Sequence, residues 1–170
     1  MTYLNKIICG DSLEIMKWKL APESVDIIIT SPPYNIGLEY DTYEDNISSE
    51  EYMYFTDEWL ASAYRVTKDT GRLYCVLDDR LIWKVKPLAE SLKWNYVQLL
   101  AWCKPNFSGK GRINGDWNFM NEYVLLFRKG KRSMMLTSDI TTTHSWFKET
   151  APQTNFKKDY LKKSIQHKCQ

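Results

Sequence analysis

Apolar residues along the chain recur in two alternating periods. Lys6, Ile7, Ile8 and Cys9 read as a short strand that stops at Gly10-Asp11, and residues 12–16 as a short helix with Asp11 or Ser12 at its N-cap. Residues 25–30, VDIIIT, then form a continuous apolar run, the pattern of a strand buried on both faces. Ser48 followed by Glu51 is a capping box, and Tyr52, Phe55, Trp59, Ala63 and Val66 follow at helical spacing, so a helix is expected that ends near Gly71. Residues 73–77 predict another buried strand, 80–93 a helix disturbed by Pro87, 96–102 a strand and 121–127 a further one. Strands alternating with helices predict an α/β domain with a mainly parallel sheet and an antiparallel pair at its end.

Between the last two strands lies CKPNFSGKGRINGDWNFMN, a long loop rich in Gly and Lys, and loops of that length in a domain core carry function more often than not. Beyond Gly130 the periodicity fades. Residues 1–130 are therefore read as the α/β region that carries the chemistry, and 131–170 as a basic tail that begins a recognition or linker region.

Composition narrows the class. The 170 residues, 44% hydrophobic and 14% aromatic, suit one globular domain and exclude a low-complexity or disordered chain. No apolar run is long enough to span a bilayer, so an intracellular protein without a membrane partner is expected. Four dispersed cysteines with no C-x-x-C pair, and two histidines, argue for free thiols and against a zinc site. The net charge of +2 hides a division: residues 1–100 hold 10 basic and 16 acidic side chains, residues 101–170 hold 13 and 5. A basic second part fits a polyanion surface, with Lys104, Lys110, Arg112, Arg128, Lys129, Lys131 and Arg132 as candidate phosphate contacts.

The chemistry centres on DIIITSPPYNIG, residues 26–37, where the apolar run ends in Ser31-Pro32-Pro33-Tyr34. In open α/β sheets ligands bind beyond the carboxyl ends of strands. Two prolines stiffen that corner and remove two donors, leaving carbonyl acceptors; Ser31 adds an oxygen and Tyr34 an aromatic face. Such acceptors beside a ring suit a planar heterocycle with an exocyclic amino group, whose nitrogen is a poor nucleophile until its hydrogens are held. A Pro-Pro loop that merely ends a strand is the plainer alternative. Asp11 and Asn35 have plain readings too, as a helix cap and a turn residue.

ITSPPYNIG resembles motif IV of the amino-group DNA methyltransferases, and the likeness extends over residues 6–130 through CGDSLEIM, through EEYMYFTDEWLASAYRVTKDTGRLYCVL and through LLAWCKPNF with NEYVLLFRKG. The Thr-Ser-Pro-Pro-Tyr form is most associated with N4-cytosine enzymes. The resemblance implies a Rossmann-like S-adenosylmethionine-dependent fold and methyl transfer to the amino nitrogen of a base flipped from double-stranded DNA. It also implies that Ser31 and the Pro32 carbonyl accept the amino hydrogens, that Tyr34 stacks, with Pro33 completing the corner, and that Asp11 lies near the cofactor's adenosine end. The family's Phe-x-Gly-x-Gly cofactor loop is absent; Gly109-Lys110-Gly111 precedes no helix. The motif order therefore resembles the permuted class, in which that loop follows the catalytic half. The expectation is an incomplete sheet and cofactor site, a chain truncated or split, and a complementing chain as partner. The alternative is a noncatalytic DNA-binding remnant.

Overall fold

The structure, a computed structural model, describes residues 3–39, 43–104 and 121–130 and the backbone of 146–148. In chain order the elements are α1 (Ser12–Trp18), β1 (Val25–Thr30), α2 (Ser49–Val66), β2 (Thr67–Leu77), α3 (Asp79–Ser91), β3 (Asn95–Cys103), β4 (Asn121–Arg128) and β5 (Trp146–Lys148). One sheet in the order β1-β2-β4-β3-β5 joins them. β1 and β2 are parallel, as are β3 and β5, while β4 runs antiparallel to both β2 and β3. The α/β class stands, but the sheet is mixed rather than mainly parallel, because β4 runs antiparallel to both of its neighbours, and β1 lies at an edge.

The capping box forms as its sequence predicts: Ser48 Oγ accepts from the Glu51 N–H at 3.2 Å and the Glu51 carboxylate accepts from the Ser48 N–H at 3.0 Å. Those hydrogen bonds also hold the Glu51 carboxyl below its ordinary pKa. α2 buries Tyr52, Trp59, Leu60 and Ala63, α3 buries Leu81, Ile82, Val85 and Ala89, and both faces meet Leu73, Cys75, Leu77, Leu125 and Phe127 on one side of the sheet. Trp94 fills the junction, its ring edge-on to Tyr64 at 5.2 Å and its indole N–H donating to the Leu60 carbonyl at 3.2 Å. Pro87 lies inside α3 without ending it.

Two elements depart from the sequence pattern. Residues 6–9 form no strand, and Ile7 and Ile8 are exposed, because among the described residues no strand lies beside them to complete a ladder. α2 stops at Val66 rather than near Gly71, and β2 runs through the glycine. The register explains it: Val25 pairs with Thr67 but Ile27 with Arg72, so β2 bulges between them. A Cβ at Gly71 would lie 2.5 Å from Thr67 Cγ2 and 2.9 Å from the Asp26 carbonyl oxygen, so the glycine admits a close backbone approach. Lys129 and Gly130 close the bulge from the end of β4, through Lys129 N–H to the Gly71 carbonyl at 3.2 Å and Gly130 N–H to that of Asp69 at 2.8 Å.

The opposite side of the sheet is apolar and open among the described residues. Ile27, Ile29, Tyr74, Leu100, Trp102 and Val124 border a hollow of about 560 Å³ there, and Ile29 is 75% exposed. No helix of the described residues is long and apolar enough to cross a membrane. Cys75 and Cys103 are free thiols, burial pushing the Cys75 thiol far up.

Candidate active site

β1 delivers its last residue, Thr30, to the carboxyl edge of the sheet, and the four residues that follow are held from several directions. Pro32 is buried and Ser31 exposed. Tyr52, projecting from the first turns of α2, donates its hydroxyl to the Pro33 carbonyl at 2.8 Å. The Pro32 carbonyl has no protein partner among the described residues and remains an open acceptor. Ser31 Oγ and the Tyr34 hydroxyl share a hydrogen bond of 3.0 Å, and burial raises the Tyr34 pKa, so the phenol stays neutral at physiological pH. Burial raises Tyr52 still further.

Stiffness continues past the prolines. Asn35 adopts a left-handed conformation, φ 55°, which asparagine tolerates better than most residues. Its side chain imitates a strand partner: Nδ2 donates to the Ile47 carbonyl at 2.8 Å, and Oδ1 accepts from the Ile47 N–H at 2.9 Å. Asp45, only 2% exposed, collects the N–H groups of Asn35 (2.8 Å), Ile36 (3.1 Å) and Leu38 (3.1 Å) on its carboxylate. Its own carbonyl accepts from Gly37 at 2.7 Å. A buried carboxylate enclosed by converging backbone donors fixes the loop after Tyr34 as no single side-chain contact could. Sequence reasoning passed over Asp45, and nothing in its local pattern, EDNIS, distinguishes it from a solvated turn acid.

Because Tyr52 anchors one carbonyl of the corner, Tyr52→Phe is expected to lower stability by about 1 kcal/mol while leaving the ring packing intact. Urea denaturation followed by circular dichroism checks it, and an unchanged midpoint would show that the bond holds nothing.

A hollow of about 610 Å³ opens beside the corner, bordered by Asp11, Leu13, Met16, Ser31, Phe55 and Trp59 among others. Asp11 caps α1, with Oδ1 accepting from the N–H of Leu13 at 2.7 Å and of Glu14 at 3.4 Å. The cap reading is thus correct, and the same residue borders the hollow. The structure brings Asp11 together with Ser31, Pro32 and Pro33 around one space, with Tyr34 hydrogen-bonded to Ser31.

The candidate DNA cations are less uniform. Lys129 is turned inward, its ammonium 2.9 Å from the Thr67 carbonyl, 3.2 Å from Glu23 and 4.8 Å from the Tyr64 ring centre. Lys104 pairs with Glu122 and lies over the Trp102 ring. Arg128 is half-buried at the end of β4. Lys110, Arg112, Lys131 and Arg132 lie outside the described residues.

The Ser-Pro-Pro-Tyr corner at the end of β1 thus stands beside a hollow of mixed polarity on an α/β sheet. The chain belongs to the N6/N4 DNA methylase family, whose model, described as DNA methylase, matches residues 25–170. It is 30% identical over 136 residues to the type II methyltransferase M.HpaI of Haemophilus parainfluenzae, covering 79% of this chain and 42% of that one. To M.MjaVI of Methanocaldococcus jannaschii it is 35% identical over 114 residues, 62% of this chain and 59% of the relative. Among solved structures it is similar in fold to the cytosine-N4-specific PvuII DNA methyltransferase, with a TM-score of 0.71 at 14% identity over 95% of this chain and 62% of that one. A complex of M1.HpyAVI with S-adenosylmethionine gives a TM-score of 0.63 at 20% identity over 86% and 65%. The chain spans about half the length of the curated relatives it matches.

Proposed function

We propose that the chain forms the catalytic part of a site-specific DNA methyltransferase that modifies the exocyclic amino group of a flipped base, cytosine N4 favoured over adenine N6. The observation that carries this reading is the corner itself: an open Pro32 carbonyl beside Ser31 Oγ and the Tyr34 ring, locked from behind by Tyr52, Asn35 and Asp45. Holding both amino hydrogens draws the nitrogen lone pair out of the ring and aims it. Flipping costs a few kcal/mol, and stacking on one aromatic returns roughly 1 to 3 kcal/mol, so Tyr34 retains the base without trapping it. Ser31, where adenine enzymes more often carry Asp, favours cytosine.

S-adenosylmethionine supplies the methyl group as an electrophile. The residues present fit its nucleoside end: one carboxylate oxygen of Asp11 serves α1, leaving the other as an acceptor for ribose hydroxyls, and Leu13, Met16, Phe55 and Trp59 offer apolar walls to an adenine. The glycine-rich loop for the methionine end belongs to sequence outside this chain or to a complementing chain. Among the described residues one side of the sheet is apolar and open and the edge at β1 is unpaired, which supports that proposal, since such surfaces are ordinarily covered. Duplex DNA is the substrate, met by Arg128 and by Lys110, Arg112, Lys131 and Arg132 on its phosphates, with Lys104 and Lys129 shaping the surface beneath.

Titration calorimetry with S-adenosylmethionine, on the chain alone and with a supplied second half carrying a glycine-rich loop, tests this reading. Binding in the complemented sample is expected. Tight DNA binding with no cofactor affinity even in that sample would contradict it and favour the noncatalytic remnant.

A further inference from the structure

A smaller hollow of about 170 Å³ is also bordered by Tyr34, together with Asn35, Ser49, Tyr52, Arg80 and Lys84. It is well below the ~300 Å³ at which organic ligand pockets begin, so it has room for a compact charged group rather than a heterocycle. Three features give it the sign of an anion site. Lys84 is exposed, and its ammonium has no partner among the described residues. Arg80, four residues earlier on the same face of α3, gives Nε and Nη2 to Asp78 at 2.6 and 2.9 Å, which leaves Nη1 to donate elsewhere. The first turn of the 18-residue helix α2 adds Ser49, with its hydroxyl and a backbone N–H that has no intrahelical acceptor. Of the nearby acids, Asp78 is committed to Arg80, the Glu51 carboxylate to the Ser48 N–H at 3.0 Å and Asp45 to three backbone N–H groups, while Asp79, which also acts on Arg80, tempers the positive charge there.

We infer that Arg80, Lys84 and the start of α2 form a phosphodiester subsite that grips the DNA backbone beside the flipped nucleotide. This inference rests on the base-flipping reading above. A base rotated out of the duplex turns about its own backbone, so the flanking phosphate must be held close to the stacking ring for the extruded state to persist. Tyr34 borders the subsite and its hydroxyl is hydrogen-bonded to Ser31, so one residue adjoins both the phosphate grip and the amino-group acceptors. The seven cations singled out by charge density alone include neither Arg80 nor Lys84, because both lie in the acidic first part of the chain.

The test is duplex-DNA affinity of the full chain between 50 and 200 mM salt, for the parent, Lys84→Ala and Lys86→Ala. Lys86, on the same helix, is bonded to Glu90 and serves as the control. Lys84 is exposed, so alanine there leaves the fold intact. For Lys84→Ala the slope of log affinity against log salt is expected to fall by about 0.9, the loss of one phosphate contact, with the Lys86→Ala slope equal to the parent's. Equal slopes for parent and Lys84→Ala would overturn the subsite and leave the methyltransferase reading standing. A loss of S-adenosylmethionine affinity at an unchanged slope would also overturn it, assigning the hollow to the cofactor's carboxylate. A parent chain with no DNA affinity would contradict the subsite and the DNA substrate together.

Discussion

Asp45→Ala is expected to release the loop that follows Tyr34 and to destabilise the chain by about 3 kcal/mol. The reason is a count of donors. Removing the carboxylate leaves the N–H groups of Asn35, Ile36 and Leu38 without their acceptor at a position only 2% exposed. Each donor stranded in this way costs up to about 1 to 3 kcal/mol, less where water reaches it, and all three of these bonds are part-buried. Opening is the escape, and it dismantles the corner: residues 35–38 follow Tyr34 directly, so the ring and the acceptors lose their fixed relation. Asp45→Asn retains one oxygen acceptor and should fall between parent and alanine. Denaturant unfolding measures the stability, and methyl transfer by the complemented enzyme measures the corner. An alanine variant as stable and as active as the parent would show that the loop is held by something other than this carboxylate.

Tyr34→Ala carries the next largest effect, on function rather than folding. On the proposed reading, loss of the ring removes a stacking surface worth roughly 1 to 3 kcal/mol per base, or about a five- to 150-fold drop in productive capture. Tyr34→Phe separates the two roles of the side chain. It keeps the ring and loses only the 3.0 Å bond to Ser31, so it should retain most of the capture while Ser31 gains freedom to turn. A duplex with a mismatch at the target position sharpens the contrast, because unpairing there costs less and stacking dominates what remains. If Tyr34→Ala methylates and binds such a duplex like the parent, the ring does not stack on the base.

Much of this site could be read from sequence because its parts are local. The Ser48 and Glu51 capping box and the strand β1 each need only a few neighbouring residues to declare themselves and form where expected, although β1, expected to be buried on both faces, lies at the edge of the sheet with Ile27 and Ile29 exposed. What escaped the reading depends on contacts between distant positions. Gly71 looked like a helix terminator and is instead where β1 and β2 come too close for a Cβ, a fact set by Asp26 across the ladder. Lys129 looked like a phosphate contact in a basic run, yet its ammonium seals the β2 bulge through the Thr67 carbonyl. Asp45 acts on donors seven to ten residues earlier, a separation with no periodic signature. Residues 6–9 had the composition of a strand, and composition does not supply the neighbour a strand needs.

The central claim is that the corner prepares an exocyclic amino nitrogen for methylation, and nucleoside mass spectrometry tests it most directly. Duplex DNA is incubated with S-adenosylmethionine and the chain, complemented by a second half bearing the cofactor loop, then digested to nucleosides. The account predicts N4-methylcytosine, abolished or sharply reduced by Tyr34→Ala and Asp45→Ala. N6-methyladenine would keep the mechanism and reverse the base preference drawn from Ser31. Methylation at a ring carbon, or no methylated nucleoside from a complemented sample that binds both cofactor and DNA, would contradict the account.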